Sequence, residues 1–270
     1  MIKGFAITPP IVGRISIGRV VEKNGKRLPE KDDQFTITTQ VQNHEGWLLH
    51  PAHEAQLKLA QPAKLRSIQV MLPFDDPDLN LRAEYVQFDR QTGRAMLVSD
   101  GVTCQHRTAQ GMKTIACASS DACCLHQEDT KPYGRLYVKI GGADDLDTFI
   151  FRTTSYNSIR TLAARMRYYA AVSGGLLAAL PLELKLRGKS TTQSYRTPIY
   201  YVDLVVRDGM MLHEAIQQAR QLSEERQAQG FDQAALDAAA RLGFANGSFE
   251  ETEEDLPTVA EEFFPEAQSA

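Results

Sequence analysis

The residues best suited to chemistry are four cysteines crowded into 21 positions, Cys104, Cys117, Cys123 and Cys124, with His106 and His126 interleaved. Zinc prefers four tetrahedral ligands drawn from thiolate and imidazole, and such a staple gives folding energy to a stretch with little core of its own. Six candidates stand for four places. The spacing Cys104-x12-Cys117-x5-Cys123-Cys124-x-His126 contains no C-x2-C pair and matches no standard finger. The competing reading is a set of reduced, part-buried thiols, since cysteine favours interiors anyway. With four places filled, the zinc would be structural; hydrolysis needs an open position and a general-base carboxylate. Asp121 and Glu128 lie close by but stand in no H-x-E or H-E-x-x-H pattern. His44, His50 and His53 are further candidates, but Pro51 within His50-Pro-Ala-His53 opposes a shared helical face. A zinc-dependent hydrolase is therefore the third-ranked reading.

A second constellation is electrostatic. Residues 150–200 hold eight basic side chains against one acid, Glu183, a local charge of +7. Arg152, Arg160, Arg165, Arg167, Lys185, Arg187, Lys189 and Arg196 are interleaved with Tyr156, Tyr168, Tyr169 and Tyr195. Clustered cations neutralise phosphates, and aromatic faces stack on unpaired bases for ~1–3 kcal/mol each. The plainer alternative is a solvated helix face with core tyrosines. Gly188-Lys189-Ser190 lacks the spacing of a phosphate-binding loop.

The acid sits elsewhere. Residues 249–270 carry eight carboxylates and no Lys or Arg. Setting these aside leaves 26 acidic against 30 basic residues, so the body carries +4 although the chain as a whole carries −4. The tail mixes its carboxylates with Phe263 and Phe264, which read as anchors for a partner; a solvated, disordered end is the alternative.

The elements that must position these residues are strands first and helices late. Ile15/Ile17 and Phe35/Ile37 alternate with polar neighbours about Asn24-Gly25, a hairpin signal, although the linker KRLPEKDD is longer than a tight turn. Strand-like runs follow at 67–72, 82–88, 94–99, 135–140, 148–153, 182–186 and 199–206. Gly46 to Leu59 has weak helical periodicity. Ser155 is placed to cap a helix reaching about Val172, with Ile159, Leu162, Ala163 and Met166 on its apolar face and Gly174-Gly175 ending it. Amphipathic helices follow from Leu212 to about Gln229 and from Asp232 to Leu242. The expected class is α+β: one β-rich body over 1–246 with an inserted cysteine-bearing loop at 101–133, late helices, and a disordered acidic tail over 247–270.

Composition agrees with a globular chain: 43% hydrophobic and 24% charged residues over 270 positions. No stretch reaches the ~18 apolar residues of a membrane span, and the first residues lack the apolar centre of a signal peptide. A soluble cytoplasmic protein is expected, with no membrane partner.

GRISIGRVVEKNGKRLPEKDDQFTITT (13–39), the cysteine loop leading into KPYGRLYVKI (131–140), and TFIFRTTSYNSIRTL (148–162) together resemble the phage recombination directionality factor-like proteins, partners of large serine integrases. The resemblance covers about 13–205. It implies a non-catalytic protein that binds an integrase on DNA and switches it from integration to excision, with a cysteine-rich, zinc-holding loop. The family tends to carry a cysteine just before the Lys-Pro block, where this chain has Thr130, so Cys123, Cys124 or His126 would supply the fourth ligand. A recombination accessory protein that binds a site-specific recombinase is the first reading. A single-stranded nucleic-acid-binding accessory of phage-type annealing or replication is the second.

Overall fold

A nine-stranded sheet forms because β-branched and aromatic runs recur along the first half of the chain, each short and bounded by turn residues. Its strands are β1 (Ile11–Lys23), β2 (Lys26–Asn43), β3 (Gly46–Leu49), β5 (Leu81–Phe88), β6 (Ala95–Ser99), β7 (Thr103–Thr108), β8 (Gly111–Ala116), β9 (Thr130–Val138) and β10 (Thr148–Thr153). The order across the sheet is β3-β2-β1-β10-β9-β5-β6-β7-β8, antiparallel except where β1 meets β10. A second sheet runs β12 (Ile199–Val206), β11 (Leu182–Lys189), β4 (Ser67–Val70). The computed structural model describes residues 10–23, 26–44, 46–60, 64–117, 130–141, 147–190 and 198–244, and for those of 19–32 and for 60 the backbone alone.

The main core lies between the sheets. Ile15, Phe35, Ile37, Leu136, Val138, Phe149 and Phe151 from the large sheet meet Ile68, Leu184, Val202 and Leu204 from the small one. Helix α3 (Tyr156–Ser173) adds Leu162, Met166 and Tyr169, and α4 (Leu212–Ala228) adds Ala215 and Ala219. The opposite face of the large sheet is covered near its middle by α2 (Pro77–Asn80) and α5 (Gln233–Phe244), through Leu79, Leu236 and Ala240 on Tyr137 and Ile150. Burial on both faces explains why β10 reads as an unbroken apolar run, FIF, rather than an alternation.

The small sheet has both edges closed by helices. Along β12, Ser158 Oγ accepts from the Val202 N–H at 3.1 Å and the Tyr169 hydroxyl accepts from the Val206 N–H. Along β4, Gln56 of α1 (Pro51–Ala60) accepts from the Gln69 N–H at 2.9 Å. Open strand edges invite pairing with other chains, and side-chain caps remove that template.

Helix α3 begins and ends where its sequence predicts. Ser155 Oγ accepts from the Ser158 N–H at 3.3 Å, and Gly174 closes it at φ 73°, a left-handed conformation suited to glycine. Three expectations need correction. KRLPEKDD is strand and not linker, because β2 continues through it and pairs Val20 with Pro29 and Lys23 with Lys26. The span 101–133 is not a loop throughout: β7 and β8 form a hairpin within it and β9 opens at Thr130. Gly46–Leu59 divides into β3 and α1 at Pro51. The expected tail lies outside the described residues.

Candidate functional site

The β7–β8 hairpin sets the geometry of the cysteines. Cys104 stands opposite Ile115, and the Cys117 N–H donates to the Val102 carbonyl at 2.7 Å, extending the ladder past β8. Side chains alternate along a strand, so Cys117, two places after Ile115, shares the face of Cys104. Cys104 is fully buried and Cys117 half-buried, in one cluster with Leu97 and Tyr85. His106, two places after Cys104, points to the same face but is exposed. Cys123, Cys124 and His126 lie outside the described residues. Among the described residues no three His, Cys, Asp or Glu are close enough to hold a metal. Cys104 and Cys117 are thus two thiols on one face of the hairpin.

His50 and His53 are occupied locally. His53 Nδ1 accepts from the Ile37 N–H at 3.3 Å and His50 Nδ1 from the Ala52 N–H at 3.1 Å. Burial lowers the His53 pKa, against the opposing charge of Glu54. Both rings serve the α1–β2 junction.

The basic residues separate into three groups. On α3, Tyr156, Arg160, Arg167 and Tyr168 are exposed. At ~100° per residue Tyr156, Arg160 and Arg167 fall within about 40° of one another, with Tyr168 at their flank. Arg167 lies 3.5 Å from Asp78, an exposed pair of little energetic weight. Arg165 is turned the other way, its Nε donating to buried Asp203 at 3.0 Å, and this bond holds the Arg165 pKa above its ordinary value. Arg187 reaches the same carboxylate at 3.4 Å. Lys185 is half-buried, 3.7 Å from Glu183, and Lys189 is exposed at the end of β11. Arg152 is not with them. It lies beyond the opposite face of the large sheet from α3, since it shares its side of β10 with Ile150 while Phe149 and Phe151 face the main core. Arg196 lies outside the described residues, as do Phe263 and Phe264.

Two features escape sequence reading. Arg82, Arg135 and Arg152 stand directly opposite one another on three adjacent strands, with Glu84 bridging Arg135 at 2.6 Å and Arg82 at 3.3 Å. Only the strand register reveals that row. The other is a cleft of about 410 Å³ between α4, α5 and the turn at Leu177–Ala179. Asp75, which lines it, accepts from the Ala178 N–H at 2.8 Å, and Asp237 accepts from the Asp75 and Asp76 N–H groups, both at 3.0 Å. Burial pushes the Asp75 pKa up to about 6, and raises that of Asp237. These bonds fasten α5 to the body.

The described chain is an α+β body with an exposed basic and aromatic helix and a cysteine-bearing hairpin. The chain belongs to the recombination directionality factor-like family: the Gp3-like family model matches residues 12–207. The match spans the two sheets and α3 and stops before α4. It ties the chain to DNA recombination in a phage context, in a family whose members are in general not catalysts. No curated protein and no solved structure matches the chain. Among the described residues no helix is long and apolar enough to cross a membrane.

Proposed function

We propose that this protein is a recombination accessory factor that binds a site-specific recombinase, contacts DNA through α3, and biases the recombinase toward excision. The family match over 12–207 carries the reading. The exposed Arg160 and Arg167 supply the positive surface that phosphates require. The test is recombination in vitro with the serine integrase of the same element. Adding the protein should raise excision product and suppress integration, and an unchanged product ratio would sink the proposal.

A second reading, accessory binding of single-stranded nucleic acid, is favoured by Tyr156 and Tyr168 beside those arginines, since tyrosine can stack on unpaired bases. Stronger binding to single strands than to duplex of equal length would favour it.

Zinc belongs to the same proposal. Cys104 and Cys117 would provide two thiolates, and two of Cys123, Cys124 and His126 the rest, giving a structural site. Purified protein is then expected to hold about one zinc per chain, as tetrahedral structural sites do. Cys117→Ser should lower both zinc content and melting temperature. Metal-free protein of unchanged stability would return the thiols to ordinary packing.

A further inference from the structure

The small sheet has a second face, and that face is basic. Leu182, Leu184, Val202 and Leu204 meet the main core, so the alternate residues of β11 and β12 face outward. They pair across the strands as Lys189 with Ile199, Arg187 with Tyr201, Lys185 with Asp203 and Glu183 with Val205. The two acids are buried, at 3% exposure for Glu183 and 4% for Asp203. Both oxygens of Asp203 are occupied: Oδ1 accepts from the Leu204 N–H and from Arg165 Nε, both at 3.0 Å, and Oδ2 accepts from Arg187 Nε at 3.4 Å. Each guanidinium therefore uses only Nε on the carboxylate. Among the described contacts the Nη atoms have no hydrogen-bond partner, and 49% of the Arg165 side chain and 45% of the Arg187 side chain stay exposed. An arginine carries five N–H donors in a rigid fork, so a carboxylate that fixes Nε from behind leaves the other four for a ligand in front.

We propose that Arg165 and Arg187, set by Asp203, form a clamp for a backbone phosphate of DNA, and that the DNA-binding surface runs from α3 onto the outer face of the small sheet. The clamp rests on the reading that α3 contacts DNA and extends that contact to a second element. Charge selects an anion: Arg165, Lys185, Arg187 and Lys189 are four cations against two buried acids, a surplus of two. Planar forks held side by side match phosphate oxygens two at a time. Continuity favours DNA over an isolated anion. On α3, at ~100° per residue, Tyr168 stands about 60° from Arg165 and about 80° from Arg160. No residue on the arc between Arg165 and Arg160 is buried, and α3 contains no acidic residue. One exposed strip of the helix thus joins the clamp to Arg160 and Arg167, with Tyr168 midway and Tyr201 beside Arg187. Separated cations along a track suit an extended polyanion, whereas a single small anion would use the clamp alone.

The test joins a conservative double variant to a measurement on the wild-type chain. In Arg165→Lys with Arg187→Lys, each ammonium still compensates Asp203 but has no fork left for phosphate, and net charge is unchanged. Affinity for DNA, in whichever form the wild type binds more tightly, should fall about tenfold, the effect of one lost charge-assisted contact. The log–log salt slope should become shallower by ~0.7–0.9, the share of one phosphate. Arginines that serve the fold alone would shift the melting temperature and leave the slope as it was. Equal affinity and slope in the two proteins would overturn the clamp; a slope still flattened by Arg160→Ala with Arg167→Ala would then leave the α3 contact standing without it. In the wild-type protein, bound DNA should protect Arg165 and Arg187 from phenylglyoxal, while Arg241 on α5 keeps its rate of modification. Unprotected Arg165 and Arg187 would overturn the clamp even where the double variant fails to fold. A wild-type protein that binds neither single-stranded nor duplex DNA would overturn the clamp and the α3 contact together.

Discussion

At Gly13 a methyl group has no room: an added Cβ would sit 2.7 Å from the Phe149 ring and 2.7 Å from the Thr38 carbonyl oxygen. Gly13 therefore lets β1 lie against its neighbours, and Gly13→Ala should cost ~1–3 kcal/mol, the range for overpacking a rigid core. A shift of the denaturation midpoint without change of slope would show it. Asp75 offers a prediction of opposite flavour, in which pH sets stability. Its folded pKa, raised chiefly by burial to about 6, lies above the ordinary value of 3.8. A carboxyl raised in the folded state binds its proton more tightly there than when unfolded, so stability is largest at low pH and falls as pH rises through about 4 to 6. The groups facing it act in both directions: Asp237 raises it further, while Arg226 and the Ala178 N–H oppose. Nearby Asp76 is held by Arg241 at 2.7 Å. Because the site borders an open cleft, screening reduces the effect, and its direction is the testable part. Asp75→Asn should flatten the decline in melting temperature between pH 4.5 and 6.5; an unaltered profile would assign that decline to other groups.

Among the elements, α3 does the most. It fills the core with Leu162 and Met166, closes the edge of β12 with Ser158 and Tyr169, and presents Arg160 and Arg167 outward. Ser158→Ala or Tyr169→Phe would strip a partner from a buried edge N–H. Each should cost ~1–3 kcal/mol, the penalty for an orphaned buried donor. The loss would be read by chemical denaturation, and Tyr168→Phe serves as the exposed control. Much of this helix was legible in the sequence: its cap at Ser155, its end at Gly174 and its apolar face all follow local rules. The edge contacts were not, because only the strand beside them shows what Ser158 and Tyr169 cap. The cysteine hairpin was missed for a related reason. Residues 103–116 show no apolar alternation, since β8 is exposed along its whole length and buries neither face. Cysteine spacing announced a metal or a buried thiol pair, but the shared face of Cys104 and Cys117 is a property of register. Arg152 shows the limit most clearly: counted with the other cations of 150–200 by sequence, it belongs to a row with Arg82 and Arg135 drawn from strands far away in the chain.

Over the whole molecule, positive charge is divided among surfaces that composition alone merges into one. Arg165 and Arg187 are committed to Asp203, whose side chain is 6% exposed. Removing either leaves a buried carboxylate short of a partner, so such variants report on stability as much as on binding. Arg160 and Arg167 are the informative pair: both are exposed, and the Arg167 contact with Asp78 is weak and solvated. If α3 meets phosphates, DNA affinity should fall steeply with salt, by ~0.7–0.9 in log–log slope for each phosphate neutralised. Arg160→Ala with Arg167→Ala should then flatten that slope by about one to two units, leaving the melting temperature within about 1 °C because exposed substitutions change stability little. Arg152→Ala should leave the slope as it was, since Arg152 lies beyond the other face of the large sheet. Fluorescence anisotropy at several salt concentrations separates these outcomes. Equal slopes for wild type and the α3 double variant would return Arg160 and Arg167 to the role of a solvated helix face. A loss of slope in Arg152→Ala instead would move the DNA-binding surface to the arginine row.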